Sequence, residues 1–247
     1  MAIKDQRQVF WRAWIGDEPR TTRERVDLVG GAEEAARLAG VTPRTVKDWI
    51  RQEERAIPRT AADAVRTYGD VTEAARAAGV TPRTVRDWMR AEARGEPIGA
   101  RKAQHIAKLT GGAAKRHLDE QRPRGNRAKL ADAVLSSPAA RQNAMSSRRA
   151  ARMSTSGAHL SVNAKVKIDT GRRPDERWRQ ISLNFKDDVM AEPTNAFLSG
   201  DDEGVVDKLN AAFGDHYAPG TDWSFGEFRS LEIKEFGAGS GGTFPLD

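Results

Sequence analysis

Cysteine is absent from the chain. That excludes disulfides, thiolate zinc sites and thiol catalysis, and it makes an intracellular, cytoplasmic setting the default expectation. Aromatic residues make up only 6% of the 247 residues and charged residues 31%, so two or three small domains are expected in place of one large core. No apolar run approaches membrane-spanning length, and the N-terminus lacks the basic-then-apolar pattern of a signal peptide. His105, His117, His159 and His216 are scattered, with no carboxylate at metal-ligand spacing, and no Gly-rich phosphate loop follows a strand pattern. No metal, cofactor or self-sufficient active site is expected.

What the chain has is a duplication. Residues 20–58 and 59–97 agree at 22 of 39 positions, with Glu34 to Trp49 nearly copied as Glu73 to Trp88. Each copy reads as helix, tight turn, helix. Ala36 stands on the inner face of a first helix, and Gly40 follows where a turn needs positive φ. Thr42 offers a hydroxyl N-cap and Pro43 fits the first helical position. Val46 and Trp49 face back toward Ala36, and Ala75, Gly79, Thr81, Pro82, Val85 and Trp88 repeat the set. This spacing is that of a DNA-binding helix-turn-helix, whose second helix enters the major groove by its N-terminal turn. The candidate DNA contacts are Thr42, Arg44, Thr45, Lys47 and Arg51, with Thr81, Arg83, Thr84, Arg86 and Arg90 in the copy. Arg can pair with both acceptors of guanine, and Thr can meet a phosphate or a thymine methyl. An αα-hairpin repeat that docks protein is the alternative.

The rest of the chain divides by composition. Residues 4–15 space Val9, Phe10, Trp11, Trp14 and Ile15 as on a helix, and the first repeat is the nearest surface for them. Pro97 and Gln104 to Leu109, followed by Gly111-Gly112, resemble the opening of a worn third repeat, a helix broken at the glycines. The net charge of +6 is uneven: residues 101–157 hold 13 basic and 3 acidic residues, and residues 158–247 hold 10 basic and 16 acidic. Residues 126–152, with Lys129, Arg141, Arg148, Arg149 and Arg152, suggest a basic helical arm along phosphates, Arg148 and Arg149 being the named contacts. A solvated linker is the alternative there.

After residue 158 the pattern turns to period two. Leu160, Val162, Ala164, Val166 and Ile168 alternate with polar residues, and Ile181, Leu183 and Phe185 alternate with Gln180, Ser182 and Asn184. A helix over 186–198 interrupted at Pro193, a helix opened by Asp201-Asp202-Glu203 near its positive end, and a strand over 228–236 complete a β-β-α-α-β order. The expected fold is therefore α+β and multidomain. Its parts are an N-terminal helix plus first helix-turn-helix repeat over 1–58 and a second repeat over 59–97. A degenerate repeat and basic arm follow over 98–157, then an acidic α+β domain over 158–236 and a flexible tail over 237–247.

This order resembles the telomere terminal proteins of linear Streptomyces-type replicons. The stretches that carry the resemblance are the two Gly-Val-Thr-Pro-Arg-Thr-Val motifs, the arm from Ala128 to Arg152, and Ala196 to Phe236. Within the last, Phe197 to Glu203, Leu209 to Tyr217 and Trp223 to Phe236 follow the family pattern most nearly. The extra repeat departs from it. The resemblance implies a nucleoid-associated protein on duplex or folded telomeric DNA, joined covalently to DNA 5′ ends and priming end replication. It also implies as partners a DNA polymerase, which supplies the catalysis, and a larger telomere-associated protein. One side-chain hydroxyl would then receive the first nucleotide. Candidates at the domain junction are Thr170, Ser161, Ser154, Thr155 and Ser156, with Thr170 first because Arg172 and Arg173 stand beside it to steer a triphosphate. Two other readings fit the same repeats: a plasmid- or phage-borne transcription regulator whose acidic domain dimerises or binds an effector, and a packaging or origin-recognition protein.

Overall fold

The computed structural model describes residues 6–97, 99–121, 123–145, 158–169, 174–185, 187–217 and 222–235. The protein is largely helical, with one small antiparallel sheet near the C-terminus. Two compact units form. One consists of Met1–Pro19, Arg25–Ala35 and Leu130–Asp247, the other of Arg20–Glu24 and Ala36–Lys129. The division passes through the first repeat.

In the first unit, strands β1 (Ala158–Asp169), β2 (Pro174–Phe185) and β3 (Asp222–Glu235) pair in the order β2-β1-β3. Val162 lies opposite Ile181 on one side and Leu231 on the other, so the apolar positions of the three strands share one face. The strand that sequence suggested over 228–236 begins six residues earlier. Phe225 and Phe228, three apart, would face opposite ways on a regular strand. Irregularities in the β1–β3 register leave Gly226 and Arg229 as extra residues, and both rings reach the core.

Helices α1 (Arg7–Trp14), α9 (Asn126–Ser136), α10 (Pro138–Ala144), α11 (Ala191–Ser199) and α12 (Asp202–Tyr217) also belong to this unit, α9 from Leu130 onward. Pro193 does not interrupt α11. It sits in the first turn, where its missing N–H has no intrahelical acceptor to lose.

Helix α1 corrects the expectation that it packs on the first repeat. Phe10 and Trp14 are fully buried in the sheet's core. Phe10 meets Phe228 edge to face, and Trp14 stacks on Phe197 at 5.1 Å and donates its indole N–H to Thr194 Oγ1 at 3.0 Å. Gln6 Nε2 donates to the carbonyl of the bulged Gly226. The reason is coverage. Strands of 12 to 14 residues run roughly 40 Å, longer than either the 9- or the 16-residue helix between β2 and β3 can roof.

Residues 158–236 therefore do not hold their whole core. A fragment of those residues is expected to melt without a cooperative far-UV transition, and Trp14→Ala in the full chain should cost about 3–5 kcal/mol. A sharp melt of the fragment, at the temperature of the full chain, would show that α1 is dispensable.

The described part of the expected basic arm packs into a core: Leu130, Val134, Leu135, Ala140 and Met145 are buried. Arg141, expected among the exposed cations, is wholly buried. It donates to the carbonyls of Leu135 and Phe197, each at 2.8 Å, and to Asp202 Oδ1 at 2.6 Å, with its guanidinium over the Phe197 ring. Asp202 also accepts from Arg7 Nε at 2.7 Å. Of the three carboxylates that open α12, Asp202 is thus an ion-pair partner and Asp201 a cap on the Gly204 amide. Arg148, Arg149 and Arg152 lie outside the described residues. No helix among the described residues is long and apolar enough to cross a membrane.

Candidate nucleic-acid interface

The second unit holds the second repeat whole. Helices α5 (Ala61–Tyr68), α6 (Val71–Ala78) and α7 (Pro82–Ala93) close around Ala61, Ala64, Ala74, Ala75, Ala78, Val85 and Trp88. Alanine at the crossing points lets the helices approach closely. Thr60 caps α5 in a reciprocal box with Asp63, and Asp70 caps α6. The Thr60 side chain, aided by the Arg59 and Thr60 amides and the Arg66 charge, holds the Asp63 carboxyl below its usual pKa. A depressed folded-state pKa stabilises above the unfolded value, and that contribution is lost as pH falls through the folded one.

In the first repeat the corresponding helices are α2 (Thr22–Leu28), α3 (Ala32–Ala39) and α4 (Pro43–Ala56). The turns before α4 and α7 match closely. Gly40 has φ 69° and Gly79 φ 68°, and the amides of Val41 and Val80 each reach back to Ala36 and Ala75 carbonyls at 3.0 Å. Thr42 and Thr81 cap the following helices by accepting from Thr45 and Thr84 amides, each at 3.2 Å. The threonine hydroxyls of each pair, Thr42 with Thr45 and Thr81 with Thr84, also meet at 2.9 and 2.8 Å. Of these four expected DNA contacts, Thr42 and Thr81 are thus N-caps, and Thr45 and Thr84 are the residues whose amides they cap.

Arg44, Lys47, Arg83 and Arg86 are exposed on the first turns of α4 and α7. Arg51 and Arg90 also point to solvent, one turn further on, each pairing with a carboxylate of its own helix at 3.3 Å, Asp48 and Asp87 respectively. What the arrangement offers chemically is two equivalent helix ends, each presenting two unpaired cations beside a pair of hydroxyls.

Sequence reasoning overlooked two carboxylates that hold these ends in place. Glu53, near the end of α4, accepts from the Thr22 amide and hydroxyl at 2.6 and 2.5 Å. Glu92, near the end of α7, accepts from the Ala61 amide at 2.8 Å. Each ties the end of a repeat's third helix to the start of its first, where orphan amides collect. The signal was present, because Glu53 and Glu92 match across the 39-residue repeat while their neighbours differ.

The expected third repeat is absent. Ala100–Glu120 is one unbroken helix, α8, and Gly111-Gly112 lies inside it. Gly112 lies against the Tyr68 hydroxyl of α5, which a Cβ there would approach to 2.8 Å. Ile106, Leu109 and Ala113 of α8 join the second repeat's core, and His105 stacks on Trp88. Trp49, the equivalent of Trp88, carries the Arg127 guanidinium over its ring instead.

Of the candidate hydroxyls, Ser161 lies in the central strand β1, half-buried, and accepts from Ser182 Oγ at 3.2 Å. Thr170, Ser154, Thr155 and Ser156 lie outside the described residues. Neither a family model nor a curated protein nor a solved structure matches this chain.

Proposed function

We propose that the protein binds duplex DNA through tandem helix-turn-helix repeats, each presenting the first turn of its last helix to the major groove. The observation that carries this reading is the equivalence of the two helix ends: Thr42, Arg44 and Lys47 recur as Thr81, Arg83 and Arg86, with the same cap and the same turn. Two arginines at matched positions suit paired guanine-containing elements in one site. Selection from a random duplex library with the full chain should enrich such a two-part site. A folded protein that enriches nothing over the starting library would count against base reading.

The particular DNA we propose is the end of a linear replicon, on the strength of the motifs quoted above from the terminal-protein family. The chain acts as a primer, with a polymerase supplying the chemistry. The hydroxyl must enter another protein's active site, which disfavours Ser161, fixed in the middle of a sheet, and leaves Thr170, beside Arg172 and Arg173 in the sequence, as the first candidate. The test is transfer of a radioactive deoxynucleotide in an extract containing the cognate polymerase. Label should appear on the wild type and vanish with Thr170→Ala while DNA binding persists. Label lost only on changing Ser154, Thr155 or Ser156 would move the assignment, and no label at all would favour the regulator reading.

A further inference from the structure

Helix α8 has a side that its packing does not use. From Ala100 to Leu118 it carries Arg101, Lys102, Lys108, Lys115 and Arg116 and no carboxylate. Its two carboxylates, Asp119 and Glu120, come only at its C-terminal end, where Glu120 pairs with Arg116 at 2.8 Å. Arg101, Lys108 and Lys115 are each exposed and stand seven residues apart. Seven residues are nearly two helical turns, so the three lie along one line, roughly 10 Å from one to the next. Between them on that line come only Gln104 and Gly111, and a Cβ at Gly111 would meet nothing within 4 Å. Gly112 lies against the Tyr68 hydroxyl and Gly111 against open space, which leaves the helix backbone bare midway along the basic line.

The position of this line relative to the second repeat is fixed within the unit. Arg116 pairs with Glu120 of its own helix and lies over the Tyr68 ring at 5.5 Å, and Ile106, Leu109 and Ala113 of α8 share a core with Ala74, Ala75 and Ala78 of α6. Helix α8 therefore flanks α6. In a helix-turn-helix the first helix of the pair crosses the DNA backbone.

We infer that the Arg101–Lys108–Lys115 line of α8 is a phosphate-contacting rail that extends the DNA footprint of the second repeat along the duplex. This rests on the DNA-binding reading above. The occupant is the sugar-phosphate backbone and not base edges. The charges along the line are all positive, its steps span about three phosphates of a strand that carries one charge per 3.4 Å of axis, and Gln104 is the one other polar side chain between Arg101 and Lys115 on it.

The experiment is a salt titration of full-length protein on a duplex of the selected site and on a random duplex, comparing wild type with Arg101→Gln/Lys108→Gln/Lys115→Gln. The slope of log affinity against log salt should fall by about 0.9 per lost contact, roughly 2.7 in all, on both duplexes alike. Preference between the duplexes and the melting temperature should stay as in wild type. Lys108→Arg/Lys115→Arg should keep the wild-type slope, and Lys208→Gln, in the other unit, should leave it unchanged. An unaltered slope in the triple variant, a loss in the arginine variant, or an equal loss from Lys208→Gln would each overturn the rail while leaving DNA binding in place. Failure of the wild type to bind either duplex would remove both.

Discussion

Replacing Arg141 by methionine is expected to destabilise the protein by about 3–5 kcal/mol. Methionine fills much of the volume, so the loss does not come from a cavity. It comes from what the guanidinium serves. Leu135 and Phe197 offer carbonyls from the last turns of α9 and α11, and Asp202 offers a carboxylate from the first residue of α12. One cation thus satisfies two helix C-termini and pairs with the acid at a third helix's N-terminus, each contact having the favourable sign. Burial lowers the pKa of Arg141 and the Asp202 carboxylate opposes that, while an arginine stays protonated throughout. Without it, Asp202 remains 5% exposed with only Arg7 as counter-ion. Arg141→Lys keeps the charge but not the three-way geometry and should fall between. Urea unfolding gives the number. In a double-mutant cycle, Asp202→Asn should cost less in the Arg141→Met background than in the wild type, because the pair is then already broken. A loss below about 1 kcal/mol for Arg141→Met would show that water reaches the site and that the pair is not structural.

The second large effect is on recognition. Arg44→Ala with Arg83→Ala should abolish most of the preference for the selected site over random DNA. Each arginine that pairs with guanine accounts for about 1–3 kcal/mol of discrimination, so the double change should cost roughly 30- to 20,000-fold in the ratio of affinities. Binding to random duplex should weaken far less, since only two positive charges are lost. Both side chains are exposed and without an ion-pair partner among the described residues, so the melting temperature should stay within a degree or two. Competition binding with the two duplexes measures this ratio. If specific and random affinities fell together, Arg44 and Arg83 would be phosphate contacts only.

Local features were legible in the sequence. Gly40 and Gly79 gave the turns, Thr42 and Thr81 the caps, and the alternation from Leu160 to Ile168 gave a strand whose buried face is the expected one. Each of these depends on neighbours within a few residues. What was misread depends on distant partners. Trp14 finds Thr194 and Phe197, about 180 residues on, and nothing near α1 announces it. Arg141 looked like another cation of a basic stretch because its burial is decided by Asp202, 61 residues away. Gly111-Gly112 looked like a helix break because glycine weakens helices. The Tyr68 hydroxyl that lies over Gly112 comes from another helix. The candidate interface was legible for the opposite reason: duplication printed the same local geometry twice.

The central claim is that the two repeats make this a duplex DNA-binding protein, and the most direct test is the affinity of the full-length chain for duplex DNA at low salt. Fluorescence anisotropy of a labelled duplex at about 50 mM salt should show saturable binding that weakens by orders of magnitude on raising the salt to about 200 mM. Arg44→Ala/Lys47→Ala/Arg83→Ala/Arg86→Ala should lose it at every salt concentration while keeping the wild-type melt. Absence of saturable binding by a cooperatively folded wild-type protein at low salt would contradict the account.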